Sequence, residues 1–154
     1  MLTLDIFFYF NNCKSKTYLL IKTLKCAAYN GKVELIEHLL SDERVDPSAK
    51  DNYAIRRASW SGHIEVVELL LSDERVDPSA DNNYAIQYAS EYGRTEVVRL
   101  LLSDKRVDPS ADDSYAIQYA SRNGHIEIVK LLLSDERVDP AATLHDAIQW
   151  TQEY

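Results

Sequence analysis

Histidines are the first side chains of this sequence that could do chemistry, because imidazole ligates metals and transfers protons near neutral pH. Four are present, at His38, His63, His125 and His145. His63 and His125 each follow a glycine, and the equivalent positions elsewhere in the chain hold Lys32 and Arg94. Since lysine and arginine cannot replace a metal-ligating imidazole, we interpret this position as one of packing and hydrogen bonding at a helix start.

Acidic residues could supply paired carboxylates for acid–base catalysis. They recur in a fixed pattern beside arginines, as in Asp73-Glu74-Arg75, whereas a catalytic pair needs one distinctive pocket. We interpret them as a solvated or bridged edge that contributes little per pair. The sequence also has no glycine-rich phosphate loop, no Cys-x-x-Cys pair and no His-Glu-x-x-His helix. It predicts no catalytic residue, no metal site and no cofactor.

The chain has 154 residues, of which 45% are hydrophobic and 27% are charged, and its net charge is -8. This composition is typical of a globular protein. That charge repels phosphate, so we expect neither nucleic acid nor a membrane as partner. Cys13 and Cys26 fit reduced thiols, and the N-terminal residues lack the pattern of a signal peptide. We therefore expect an intracellular, cytoplasmic protein.

The chain is a repeat array, because its four glycines and its four prolines each recur every 31 residues. Residues 53–83 and 84–114 are identical at 21 of 31 positions. The predicted units are an N-terminal cap or degenerate partial repeat at 1–21, full repeats at 22–52, 53–83, 84–114 and 115–145, and a C-terminal half repeat at 146–154.

Each unit is predicted to contain a helix, a turn, a second helix and a loop, in that order. The first helices are predicted to start at N-caps and to end at glycines with positive φ. The N-caps are Asn52, Asn83 and Ser114, and the turn glycines are Gly31, Gly62, Gly93 and Gly124. An apolar stripe of Ile64, Val67, Leu70 and Leu71 marks the second helix, which ends before Pro78. Stacking of neighbouring units must bury this stripe.

The segment from Gly62 to Leu71, Gly-His-Ile-Glu-Val-Val-Glu-Leu-Leu-Leu, resembles the ankyrin repeat, and similar segments begin at Gly93, Gly124 and, more loosely, Gly31. The resemblance covers about residues 20–154. It implies an all-α, ankyrin-type helix-turn-helix solenoid whose first helices line a concave face that binds proteins. The connection from Pro78 to Asn83 lacks the family's turn glycine, so we expect shortened β-fingers with little or no strand pairing. The loop sequence at residues 73–84 also resembles that of ankyrin arrays of large DNA viruses of protists. This resemblance implies that the protein is located in the cytoplasm of the host cell.

Positions that vary between the units are candidates for partner contact, because positions that are fixed serve the framework. The variable positions lie on the first helix and its turn, and they are rich in the aromatic and arginine residues that interfaces favour. The candidates are Tyr29, Arg57, Trp60, Tyr88, Glu91, Tyr92, Tyr119, Arg122, Asn123 and Trp150. Packing combined with sequence drift is the competing interpretation. Tyr53, Tyr84 and Tyr115 are invariant, and we expect them to stack between repeats as framework.

The sequence thus predicts a non-catalytic scaffold that binds another protein through the concave face. The alternative is a structural spacer, or a degenerate fragment of a longer array, with no dedicated partner. Residues 146–154 supply a first helix without a second, so we expect them to cover residues 115–145 incompletely. The last repeat should then be the least protected, or be covered by weak self-association through Leu131-Leu132-Leu133.

Overall fold

The computed structural model describes residues 15–140, which contain helices and no strand. The helices are α1 Ser15–Tyr29, α2 Val33–Leu40, α3 Ala49–Ser61, α4 Ile64–Leu71, α5 Ala80–Glu91, α6 Thr95–Ser103, α7 Ala111–Arg122 and α8 Ile126–Leu133. Each repeat pairs a first helix (α1, α3, α5, α7) with a second helix (α2, α4, α6, α8). The all-α solenoid fold is confirmed. None of these helices is long and apolar enough to cross a membrane.

The turn between the two helices of a repeat is closed by glycine. Gly62 has φ 83°, and the amide of His63 donates to the Ala58 carbonyl at 3.1 Å. This bond across a left-handed residue is the Schellman motif, in which a residue without Cβ satisfies the last carbonyls of the helix. The equivalent glycines have φ between 64° and 73°, so the predicted positive φ is confirmed in all four repeats.

The core runs along the stack between the first and second helices. In α3, Ile55, Ala58 and Ser59 are almost completely buried, as the pattern predicts. In α4 the buried side chains are Val66, Val67 and Leu70. Ile64, which we expected in this stripe, is 39% exposed, because a step of 100° per residue leaves it at the margin of the face centred on Val67 and Leu70.

A short left-handed turn stands where the β-finger would be. Three consecutive residues within the first turn of α5, Asp81, Asn82 and Asn83, have φ of 56°, 57° and 62°, so the right-handed part of this helix begins after Asn83. Residues 50–52 and 112–114 repeat this conformation. Short polar side chains tolerate the left-handed region better than branched or bulky ones, which explains the Asp and Asn content of the loop. The finger is therefore replaced by a turn that pairs with no strand in the described residues.

The asparagines that end this turn stand directly before the right-handed part of their helices, as predicted, but their side chains bond to the next repeat instead of capping these helices. The buried Asn83 accepts a hydrogen bond at its Oδ1 from the amide of Asp108, 2.8 Å away in the following repeat. Asn52 accepts from Asp77 in the same way. The left-handed backbone directs the carboxamide toward the next loop instead of the next helical turn. Ser114 is buried at the equivalent position, with no hydrogen bond to its own helix among residues 15–140.

The recurring Asp-x-Arg sequence also links repeats. The Arg106 guanidinium pairs with Asp104 at 2.6 Å and donates to the carbonyls of Val76 and Leu71 in the preceding repeat. Arg75 and Arg137 make the same contacts one repeat earlier and one repeat later. We expected a bridged edge of little value per pair. The pairing is found, and in these three repeats the arginine also donates to main-chain acceptors of the preceding repeat, so its contacts go beyond the ion pair.

The residue after each turn glycine makes a third link. His125 Nε2 lies 3.0 Å from the Glu91 carbonyl oxygen, and His63 Nε2 lies 2.9 Å from that of Tyr29. In the repeat between them, Arg94 Nε donates to the Trp60 carbonyl at 3.0 Å. This position therefore accepts either side chain because both reach the end of the preceding first helix. The interpretation of the histidines as hydrogen-bonding residues is confirmed.

Candidate functional site

The first helices present one continuous surface along the stack, which we call the first-helix face. Its residues recur along each helix at spacings of four and three residues, so they lie on one side of the helix. Most of the intervening positions, such as Ala54, Ile55 and Ala58, are buried in the core. From α1 to α7 the face contains Lys22, Cys26, Tyr29, Tyr53, Arg57, Trp60, Tyr84, Tyr88, Glu91, Tyr115, Tyr119 and Arg122. Except for Lys22 and the invariant tyrosines, these residues occupy the variable positions of the repeats.

Three aromatic side chains from successive repeats are in contact at one edge of this face. The rings of Tyr29 and Trp60 stack with centroids 5.4 Å apart and planes inclined by 24°. Trp60 meets Tyr92 edge-on, also at 5.4 Å. Tyr29 and Tyr92 keep 46% and 43% of their surface exposed. We call these three residues the aromatic run, and it combines large contact area with polar groups at the surface.

Tyr88 and Tyr119, which are also among the predicted contact residues, lie in separate pairs outside the aromatic run. Tyr88 stacks on Tyr84 of its own helix at 5.2 Å, and Tyr119 lies 5.5 Å from Tyr115 of its own helix. The expectation that the invariant tyrosines stack between repeats is therefore wrong at Tyr84 and Tyr115. A spacing of four residues brings two rings together on one helix, and this spacing was visible in the sequence.

Cationic side chains connect the tyrosines of neighbouring repeats. The Arg56 guanidinium lies 5.6 Å from the Tyr53 ring centroid and 5.8 Å from that of Tyr84, and it pairs with Asp81 of the next repeat. Arg57 lies over both Tyr53 and Trp60, at 4.8 and 5.4 Å. Arg56 was not among the predicted contact residues, although its place three residues after Tyr53 was a visible signal.

The fourth repeat contributes a small cavity of about 220 Å³ to the face. It is lined by Tyr115, Gln118, Tyr119 and Arg122. Partial burial raises the pKa of the Tyr119 hydroxyl, and the nearby Glu91 carboxylate raises it further.

Two further predicted contact residues, Asn123 and Trp150, are not among the aromatic contacts described above. Asn123 donates through Nδ2 to the Glu91 carbonyl at 3.0 Å, so its side chain joins the fourth repeat to the third. Trp150 lies outside the described residues. Within residues 15–140, no group of three histidine, cysteine or acidic side chains is arranged to hold a metal ion.

Comparison with known protein families identifies the repeats of this chain. A family model described as ankyrin repeats (3 copies) matches residues 55–144, and one described as ankyrin repeats (many copies) matches residues 24–71. The chain belongs to the ankyrin-repeat family. Ankyrin repeats are protein-interaction modules, so this membership places the chain among protein-interaction scaffolds.

A solved structure shares the ankyrin fold with this chain. It is a chain from the crystal structure of the yeast ribosomal protein Rps3 in complex with its chaperone Yar1, with a TM-score of 0.63 and 24% identity. The match covers 78% of this ankyrin chain and 95% of the other. No curated protein matches the sequence.

Proposed function

We propose that this ankyrin-repeat chain is a non-catalytic scaffold that binds another protein through its first-helix face. The observation that carries the proposal is the aromatic run of Tyr29, Trp60 and Tyr92. These rings are in contact across three repeats, yet the outer two are more than two-fifths exposed. A side chain that only filled the core would be buried, as Leu70 is.

The run occupies positions at which the repeats differ. The residues equivalent to Trp60 are Tyr29, Glu91 and Arg122, whereas the core position of Leu70 is leucine in every full repeat. Because the residue at the position of Trp60 differs from repeat to repeat, each repeat offers a different side chain to a partner. Such differences allow the surface to select one partner over another. Solenoids commonly bind along such an extended face. The likeness to a chaperone-complex structure is consistent with a protein partner.

Capture from an extract of the source cells tests the proposal. Wild-type chain, Trp60→Ala and Ile64→Ala are immobilised in equal folded amounts, and retained proteins are quantified by mass spectrometry. Ile64 is a matched control, because it lies in the same repeat and is 39% exposed on the second helix. We expect one or more proteins to be retained by wild type and by Ile64→Ala and to be reduced at least fivefold by Trp60→Ala.

Two outcomes would contradict the proposal. Retention that falls equally in Trp60→Ala and Ile64→Ala would show that the first-helix face is not the binding surface. No specific retention by any form would support the alternative function, a structural spacer without a dedicated partner.

A further inference from the structure

Three cationic side chains gather around one ring on the first-helix face, and a fourth cationic residue, Lys50, is joined to them through its carbonyl, which accepts a hydrogen bond from Arg56 Nη2 at 3.1 Å. Lys25 Nζ lies 4.6 Å from the Tyr53 ring centroid, and the guanidinium carbons of Arg57 and Arg56 lie 4.8 and 5.6 Å from it. Lys50 is also close enough to influence the charge of Lys25. We call Lys25, Lys50, Arg56 and Arg57 the cationic patch. A chain whose net charge is -8 thus concentrates positive charge at one place.

Within residues 15–140, most of this charge has no carboxylate partner. Arg56 pairs with Asp81, but Lys25, Lys50 and Arg57 form no ion pair with any carboxylate in residues 15–140. The pKa of Lys25 is lowered by partial burial and by repulsion from Lys50 and Arg56. Clustered like charges destabilise the free protein, so carboxylates brought by a partner would remove a repulsion as well as form new pairs.

Arg57 has the geometry of a contact residue. Its guanidinium lies over the rings of Tyr53 and Trp60, where ring faces hold the cation by electrostatic attraction. A guanidinium held in this way keeps N–H donors in its plane free for a carboxylate, which it binds through two parallel hydrogen bonds. Trp60 belongs to the aromatic run and lies against Arg57 of the cationic patch, so a bound carboxylate would lie directly beside the aromatic run.

We propose that the cationic patch and the aromatic run together bind an acidic, partly apolar segment of a partner protein. Carboxylates of the segment contact Arg57, Lys25 and Lys50, and an apolar or aromatic side chain packs against Trp60. This inference rests on the proposed function and adds the chemistry of the partner.

The overall negative charge does not oppose binding at contact distance. At physiological ionic strength, exposed charges beyond about 8 Å are largely screened. The distant charge still repels a long polyanion that extends past the patch, which favours a short acidic segment over a nucleic acid.

Fluorescence anisotropy with defined peptides tests the inference. The probes are a fluorescein-labelled peptide of alternating glutamate and leucine, and matched peptides in which lysine or glutamine replaces every glutamate. The proteins are wild type, Arg57→Gln, Arg99→Gln and Trp60→Ala. Arg99 is the matched control, because it lies on the second helix α6, pairs with Glu96, and its substitution changes the net charge by the same amount.

We expect wild type to bind the glutamate peptide at least tenfold more tightly than the lysine or glutamine peptide. Arg57→Gln should weaken this binding about fivefold, and Trp60→Ala about as much, while Arg99→Gln leaves it within twofold. Higher salt should weaken the binding of wild type more than that of Arg57→Gln, because fewer ion pairs remain in the variant.

Equal affinity for the three peptides, or equal weakening by Arg57→Gln and Arg99→Gln, would overturn the inference. Tighter binding of a single-stranded oligonucleotide than of the glutamate peptide would overturn it as well. Failure of this inference is distinguishable from failure of the proposed function. If Trp60→Ala abolishes capture of a cellular protein while Arg57→Gln does not, the proposed function stands and the inference fails, because the first-helix face then binds a partner whose chemistry is not acidic.

Discussion

Arg106 donates a hydrogen bond across the repeat boundary to the carbonyl oxygen of Leu71, the last residue of α4, at 3.1 Å. A second bond reaches the carbonyl of Val76 at 2.9 Å. The guanidinium therefore satisfies one acceptor at a helix end and one in the following loop, while Asp104 holds it in place.

Arg106→Ala should lower the free energy of unfolding by about 2 kcal/mol, because two main-chain acceptors lose a charged donor. Arg44→Ala is the matched control. Its side chain occupies the equivalent position in the first repeat and contacts only Asp42 among residues 15–140, so we expect a much smaller loss. Urea unfolding followed by circular dichroism measures both. Equal losses would show that the inter-repeat bonds add nothing.

The Asp-x-Arg pairs should also make stability depend on pH. Hydrogen bonds from the paired arginine lower the pKa of Asp73, Asp104 and Asp135, and at the equivalent position they lower the pKa of Asp42 to about 2. A carboxylate with a depressed folded-state pKa stabilises the protein above its unfolded pKa of about 3.9 and loses that contribution as pH falls through the folded value. We expect constant stability above about pH 5 and a steady decline below pH 4.

Asp104→Asn checks the assignment of this pH dependence. The variant should be less stable than wild type at pH 7, and the difference should shrink on acidification because the wild-type carboxylate becomes neutral as well. A difference that stays the same from neutral to acidic pH would exclude Asp104 as a source of the dependence.

Replacing a turn glycine by alanine should lower the free energy of unfolding by different amounts in different repeats. A Cβ at Gly93 would lie 2.8 Å from His125 Cε1, whereas at Gly124 no described atom lies within 4 Å. Gly124→Ala should therefore cost about 1 kcal/mol, the penalty for a left-handed residue with a side chain. Gly93→Ala should cost roughly twice that, because the imidazole must also move away from the Glu91 carbonyl.

A double-mutant cycle separates the two contributions at Gly93. In the His125→Ala background, Gly93→Ala should cost no more than Gly124→Ala does in wild type. The steric account fails if the cost of Gly93→Ala is unchanged in that background.

Asn83 combines a left-handed backbone with an inter-repeat hydrogen bond, and two substitutions distinguish these roles. Asn83→Gly keeps positive φ easily but removes the acceptor for the Asp108 amide, which should cost about 1–2 kcal/mol. Asn83→Ala should cost about 1 kcal/mol more, because alanine also disfavours positive φ. Thermal and urea unfolding measure the pair. Alanine and glycine variants of equal stability would show that the backbone conformation carries no cost.

The sequence allowed the repeat lattice, the turn glycines and most of the buried face to be predicted, because these depend on periodicity and on residues with one special backbone property. Gly62 is an example, since a helix that ends there needs a left-handed residue. Asn52 shows the limit. Its residue type correctly suggested a boundary, but its hydrogen-bond partner is Asp77 in the next repeat, and only the stacked structure brings the two together.

The sequence allowed most residues of the candidate site to be predicted, but not which of their side chains contact each other. Comparison of the repeats selected Tyr29, Trp60 and Tyr92, which the structure does join in one run. It could not assign Tyr88 to a pair with Tyr84, because the choice between two neighbouring rings depends on side-chain rotamers. The cationic patch was missed for a related reason, since its members come from two repeats and different positions along the helices.

The central claim is that the aromatic run is a contact surface and not part of the core. The most direct measurement is the free energy of unfolding of Trp60→Ala and Tyr92→Ala beside that of Leu70→Ala. Leu70 is completely buried, so its truncation should cost about 2–5 kcal/mol. Each aromatic variant should lose less than half as much as Leu70→Ala and retain a wild-type circular-dichroism spectrum. Losses equal to that of Leu70→Ala would show that the run is structural and would contradict the account.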